Sequence, residues 1–306
     1  MPKLIFRFFA FLFWITNGIP TVKAAEISFT LDDPYTTDTV KLTGRERDSA
    51  IRKHFQTAKI KAALFVCGMR IDNPKGRELL KAWDDEGHLI ANHSFSHKNF
   101  NSQAVTADFL KLDIVKGEKL LISLKNFKRL FRFPFLKEGD TAQKRDEIRT
   151  FLSSKGYRNG AVTIDASDWY ISDRLQGRIK ENPQADLSAY RDFYLKHIWE
   201  RAVYYNELSK ATLGREVKHT LLIHHNLLNA LYLADLVQMF KSKRWKIIDA
   251  QESYKDPVFL KNPSIVPAGE GLIWGIAKEA DSHNGKLRYP AEDGEYEKTE
   301  MNKLGL

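Results

Sequence analysis

Read for its apolar positions alone, the chain alternates two patterns. Short β-rich runs are expected at Glu26–Leu31, Lys61–Cys67, His88–His93, Leu130–Phe135, Tyr157–Ile164, His219–His224 and Lys246–Asp249. Between them lie segments with helical spacing: Arg45–Thr57, Pro74–Glu86, Ala107–Leu124, Thr141–Ser154, Leu187–Lys210 and Leu228–Ser242. In Ala107–Leu124 the apolar positions are Phe109, Leu112, Val115 and Leu120. Gly87, Gly156 and Gly214 stand where helix C-caps are expected. Strand and helix in alternation predict a parallel sheet with crossover helices. Seven such strands suit a single-domain α/β fold, a distorted barrel, better than an open doubly wound sheet. No dinucleotide glycine fingerprint follows the first strand.

The two ends read differently. Lys3 and Arg7 flank the run Phe8–Ile15, Gly18 and Pro20 break it, and Val22-Lys23-Ala24 exits on a small residue. A basic start, an apolar stretch of fewer than about fifteen residues and a small-residue exit predict a secretory leader over residues 1–24. The alternative is a retained anchor, but the stretch is shorter than the roughly 20 residues a span needs. Nothing later is long and apolar enough to span a bilayer, so a secreted or periplasmic protein is expected. Residues 25–251 form the expected barrel. Residues 252–306 turn polar and charged and are expected as an irregular extension.

Composition adds little: 306 residues, 43% hydrophobic and 28% charged, is ordinary globular usage. The formal net charge of +9 suits an anionic envelope as well as a plain solvated surface. Lys and Arg are scattered rather than massed, which argues against a nucleic-acid partner. Cys67 is the single cysteine, so no internal disulfide forms, and its apolar neighbours make it a small buried side chain.

Chemistry collects at strand ends, where parallel barrels carry their active sites. The first strand ends at Asp32-Asp33, the third at His93 with His97 four residues on. The fourth carries Arg132, the fifth runs toward Asp165 and Asp168-Trp169, and the sixth ends at His224-His225. Adjacent carboxylates at a strand end can be split, one to a metal and one to a water. An i,i+4 histidine pair can place two imidazoles on one cation. Two histidines and one carboxylate leave coordination positions open, as a catalytic site requires, and nitrogen-plus-oxygen ligands fit zinc or another borderline divalent metal. One of His224 and His225 faces inward by strand alternation. Arg132 either stacks among aromatics at the surface or holds a carboxylate in a fork. Asp168-Trp169 reads first as a solvated turn with a buried Trp, and second as an acid tuning a histidine.

In order, Thr30-Leu31-Asp32-Asp33-Pro34, Gly87–His93, His93-Ser94-Phe95-Ser96-His97, Arg132-Phe133-Pro134-Phe135, Asp168-Trp169 and Leu222-Ile223-His224 resemble the motifs of the polysaccharide deacetylase family, carbohydrate esterase family four. The resemblance spans about Glu26 to Asp249. It implies a distorted barrel with a divalent metal, usually zinc, removing acetyl groups from an N-acetylated polysaccharide. It implies Asp32 as general base, and Asp33, His93 and His97 as metal ligands. Arg132 would orient the base, His224 would be the general acid, and Asp168 would tune it. Trp169 and Leu222 would wall the acetyl pocket, with Phe135 beside them at the substrate groove. Leu31 stands where the family usually has Phe, Pro34 where it has Gly, and Phe135-Leu136 where it has Tyr-Gly. These departures mark a divergent branch and touch groove loops rather than ligands. A metal hydrolase of a non-sugar amide or ester, and a carbohydrate-binding barrel without turnover, are the competing readings.

Overall fold

The computed structural model describes residues 24–281, 287–288 and 294–306; the expected leader falls almost wholly on residues 1–23, outside them. The elements in chain order are β1 (Glu26–Asp32), α1 (Gly44–Ala58), β2 (Ala63–Val66), α2 (Gly68–Ile71), α3 (Pro74–Asp85), β3 (Leu89–Asn92), α4 (Ala107–Leu121), β4 (Phe127–Phe131), β5 (Lys137–Gly139) and α5 (Ala142–Ser154). They continue as β6 (Arg158–Asn159), α6 (Asp168–Glu181), α7 (Ser188–Leu213), β7 (Lys218–His224), α8 (Leu227–Ser242), β8 (Lys246–Ile247), α9 (Ala250–Ser253), β9 (Ala268–Gly269), α10 (Leu272–Glu279) and α11 (Glu295–Lys303).

Seven strands form one parallel sheet in the order β6-β4-β3-β2-β1-β7, with β8 also pairing β1. Buried strands of this kind read as continuous apolar runs, and β1, β2 and β3 are buried at every position. The sheet curls until its edges approach. The chain after β6 starts beside β4, with Gly160 N–H donating to Phe131 O at 2.7 Å. It ends beside β7, where Ile164 and Thr220 hydrogen-bond at 3.0 Å and Ile164 bridges Leu221. This segment closes the half-barrel, but only two of its residues make a regular strand. The expected strand Tyr157–Ile164 is therefore mostly an irregular crossing. The expected Leu130–Phe135 is shifted toward β4, because Pro134 starts a 3-10 turn instead of extending the ladder.

Alternation along β1 sends Ile27, Phe29 and Leu31 into the core beneath α1 and α8, and Thr30 and Asp32 toward the barrel interior. Helix ends follow the sequence. Gly87 and Gly214 adopt φ +79° and +66° just beyond α3 and α7, the left-handed geometry that ends a helix without a side-chain clash.

Two expectations need correction. The buried face of α4 is Ala107, Leu110, Ile114, Gly117 and Leu121, whereas Phe109 and Leu112 face solvent, 42% and 74% exposed. The apolar stripe is thus a neighbouring one: small residues at 107 and 117 let α4 lie close, with Gly117 against Asn92 and Ser94. Where it is described, the C-terminal stretch is not irregular throughout. It carries α9, α10 and α11, and Tyr254, Phe259, Ile273 and Met301 join the main core. Among the described residues no helix is long and apolar enough to cross a membrane.

Candidate active site

β1, β2 and β3 end side by side, and the chain turns sharply after each. Asp33 leaves β1 with φ +56° while its N–H still donates to Phe65 O at 3.2 Å. His93 N–H donates to Val66 O at 3.0 Å, after which Ser94 and His97 take φ +65° and +53°. Left-handed backbone at non-glycine residues is costly and persists only where surroundings over-determine it. Here the loop is pinned. Asn92 Oδ1 accepts from Ser94 N–H at 2.9 Å, and Asp113 Oδ2 from the N–H groups of Phe95 and Ser96 at 3.1 and 3.0 Å. Ser94 Oγ accepts from His97 N–H at 3.1 Å.

These turns bring one ligand atom each from Asp33, His93 and His97 within 4.8 Å of one another. His97 Nε2 lies 3.2 Å from Asp33 Oδ2. His93 Nδ1 lies 2.8 Å from the carbonyl oxygen of Arg132, which can only accept. The ring proton therefore sits on Nδ1, and Nε2 turns its lone pair inward. Burial pushes His93 down to about 3 and lowers His97, so both rings are neutral, as ligation requires. Asp33 Oδ1 is buried without a hydrogen bond, although Arg70 Nε stands 3.3 Å away. Two imidazole nitrogens, an under-satisfied carboxylate and no thiolate fit a borderline divalent cation.

On one side of this triad stands Asp32. Its Oδ1 accepts from Arg132 Nη1 at 2.5 Å, and its Oδ2 lies 3.6 Å from His93 Nε2. Arg132 is fully buried and spends its other donors on Gly160 O, Thr30 Oγ1 and Tyr254 OH, with its plane 3.7 Å over the Phe65 ring. It is thus both stacked and paired, but inside the barrel and through a single contact rather than a fork. Burial raises the Asp32 carboxyl, and Arg132 and His224 pull it back.

On the other side stands His224, the register partner of Asp32 across β1 and β7. Its Nδ1 meets Asp168 Oδ1 at 2.7 Å. Asp168 is fully buried and opens α6, while Trp169 is only half-buried, which reverses the expected solvated turn with a buried Trp. Asp168 Oδ2 accepts from His224 N–H, Asn226 Nδ2 and Asn229 Nδ2 at 2.9, 2.8 and 2.7 Å. Burial opposes charge on His224, but Asp168, Asp32 and Asp33 outweigh it and raise the ring to about 9. His225 is the outward member of the pair, with Nε2 3.1 Å from Asp48 Oδ1 on α1.

Between these groups lies a cavity of about 450 Å³ walled by Phe135, Trp169 and Leu222, with Arg70, Asp173 and Gln176 among its other lining residues. Asp165 is buried and lines no part of it. Arg70, Asp113, Asn226, Asn229 and Tyr254 were not expected at the site. Only Asn226, the N-cap of α8 directly after the His pair, carried a sequence signal.

A family model described as polysaccharide deacetylase matches residues 20–159. That stretch holds Asp32, Asp33, His93, His97 and Arg132, and ends before Asp168 and His224. Similar solved structures include a CE4-family pseudoenzyme from Bacillus anthracis, at 14% identity and a TM-score of 0.51, over 75% of this chain and 65% of that one. A mutant of that pseudoenzyme with restored enzymatic activity matches at 16% identity and a TM-score of 0.51, over 75% and 67%. The peptidoglycan deacetylase PdaC from Bacillus subtilis matches at 18% identity and a TM-score of 0.50, over 76% of this chain and 91% of that one. No curated protein matches the sequence. At such identities the structures speak for the fold, and the family match speaks for kinship. Over residues 20–159, a little under half of its length, the chain is similar to the polysaccharide deacetylase family, and its fold is like that of carbohydrate esterase family four structures.

Proposed function

We propose that the chain is a metal-dependent hydrolase that removes acetyl groups from the N-acetylated sugars of a cell-envelope or extracellular polysaccharide. The supporting observation is the convergence of Asp33, His93 and His97, flanked by the Asp32–Arg132 pair on one side and the His224–Asp168 pair on the other. A divalent cation held by Asp33, His93 and His97, zinc by the chemistry of that set, would polarise the acetyl carbonyl and acidify a water.

The chain's own residues account for the proton traffic. Asp32 has one oxygen fixed by Arg132 and the other turned toward the ligand histidines, so it can take a proton from the attacking water. His224 has Nδ1 engaged by Asp168, so Nε2 is the nitrogen that donates. At neutral pH the ring keeps its proton, and it gives that proton to the amide nitrogen as the carbon–nitrogen bond breaks. Acetate and a free sugar amine result. An amine is a poor leaving group unless protonated, and such general-acid help is typically worth about 10²–10⁴-fold. Phe135, Trp169 and Leu222 exclude water around the acetyl group.

The leader at residues 1–24 would carry the protein to the periplasm or outside the cell, where such polymers lie, with residues 25–251 supplying the barrel and the described part of 252–306 packed on it through Tyr254, Phe259, Ile273 and Met301. The test is acetate release from peptidoglycan and from chitin oligomers, with chelator and metal add-back. Activity should vanish with chelator and return with metal. Faster turnover of acetylated peptides or aryl esters than of any sugar would overturn the substrate class. Bound metal without any acetate release would favour a binding barrel.

A further inference from the structure

Asp168, the partner of His224, is the first residue of α6. Bonds from His224, Asn226 and Asn229 hold its carboxylate, but the helix that carries it starts without a cap. Ser167, at the N-cap position, makes no side-chain bond to the helix, and such a bond is typically worth about 1 kcal/mol. The support comes from the far end of the chain. Trp169, Asp173 and Gln176 line the cavity from one face of α6, whereas Tyr170 and Arg174, one helical turn apart, line no part of it. Arg174 Nη1 donates to Tyr170 OH at 3.1 Å and to Asn302 Oδ1 on α11 at 2.9 Å, and Nη2 donates to the Leu306 carbonyl oxygen. Gly294, just before α11, lies so close to the Tyr170 ring that a β-carbon there would come within 2.8 Å of it. The brace is itself anchored. Met301 is buried in the main core, and Glu297 is 1% exposed with Oε1 3.3 Å from His197 Nδ1 on α7. The Tyr296 ring lies 5.6 Å from the Arg201 guanidinium, whose Nε donates to the Asp165 carbonyl oxygen ahead of α6 at 3.3 Å.

We infer that the C-terminal helix α11 belongs to the catalytic apparatus: through Arg174 it holds α6 from behind, so that Asp168 meets His224 and Trp169 faces the acetyl group. The inference rests on the deacetylase reading and deepens it. Arg174 is a positioning residue, since it acts only through the helix it holds. Tyr170 stands in the same turn as Asp168 and Trp169, so a shift of this contact moves both.

The experiment measures acetate release from the N-acetylglucosamine tetramer in the metal-loaded full chain. It also follows the His224 ring resonance by NMR, assigned by its loss in His224→Ala. Arg174→Ala should shift that resonance and lower kcat about tenfold, less than the roughly 10²-fold that a 1 Å misplacement can cost, with KM and metal content unchanged. Asn302→Ala, at an exposed position, should act in the same direction and by less. The double variant should be no slower than Arg174→Ala alone, because both cut one link. A lower melting temperature with kcat and the His224 resonance unmoved would make α11 a stabilising appendix and overturn the inference. Metal lost in step with kcat, or a double variant slowed by the product of the two single losses, overturns it as well. If the wild type releases no acetate, the deacetylase reading falls instead, and the His224 resonance alone decides whether α11 holds the pair. Should Arg174→Ala not fold, Asn302→Ala carries the same readouts.

Discussion

The two walls of the cleft are built in opposite ways. The wall of Asp33, His93 and His97 consists of sharp turns, with left-handed backbone at Asp33, Ser94 and His97, braced by side chains such as Asn92 and Asp113. The wall of His224 and Asp168 consists of a regular strand end and a helix start, with no left-handed residue and a carboxylate saturated by four hydrogen bonds. Under the proposed function, the difference follows from the tasks. A small cation demands ligand atoms at angles that regular strands do not supply, so the backbone there is bent and braced. A proton donor needs only a set charge and one aimed nitrogen, which regular elements deliver cheaply.

The comparison can be broken in four places. His97→Ala should have the largest effect, removing bound metal and turnover together, as read by metal analysis and acetate release. His224→Ala should lower turnover about 10²–10⁴-fold and leave metal content intact. If it lost metal as well, the walls would not be separate devices. Asp168→Asn should cost about 10–100-fold at neutral pH, the scale of an outer partner. Its signature lies in the pH profile. Wild-type activity should fall as pH rises through about 9, and without the Asp168 charge that limb should move to lower pH. The sign follows because a ring raised above 6.5 is proton-bound and stabilising below that value, and loses this contribution as pH climbs through about 9. Ser94→Ala should be mildest: it removes only the hydroxyl that accepts from His97 N–H, and metal affinity should fall about tenfold with the pH profile unmoved.

Much of the fold was legible because buried parallel strands are continuous apolar runs that end in conspicuous polar residues, as at Leu31-Asp32-Asp33 and Ile223-His224. Less was legible where contact chooses the face. In α4, Phe109 and Leu112 look like core, but the helix turns Gly117 inward to approach Asn92 and Ser94. Helix α6 was not expected at all, although Ile171, Leu175 and Ile179 repeat every four positions and are buried. Gly177 and the surrounding charges mask the stripe. At the site, residues with paired or strand-end placement were readable. Tyr254 was not, since its contact with Arg132 bridges 122 positions of sequence. Nor was Asp113, whose two bonds to the loop of His93 and His97 emerge from the buried side of a helix.

Asp32 and His224 face each other across a ladder of seven paired positions. Their spacing is therefore quantised by the sheet lattice. A slip by one residue would put Leu31 or Ile223 into the cleft, and no intermediate distance exists. In the proposed mechanism the surrounding loops can change, with Pro34 and Phe135 as departures from the family pattern, without detuning the interval between Asp32 and His224.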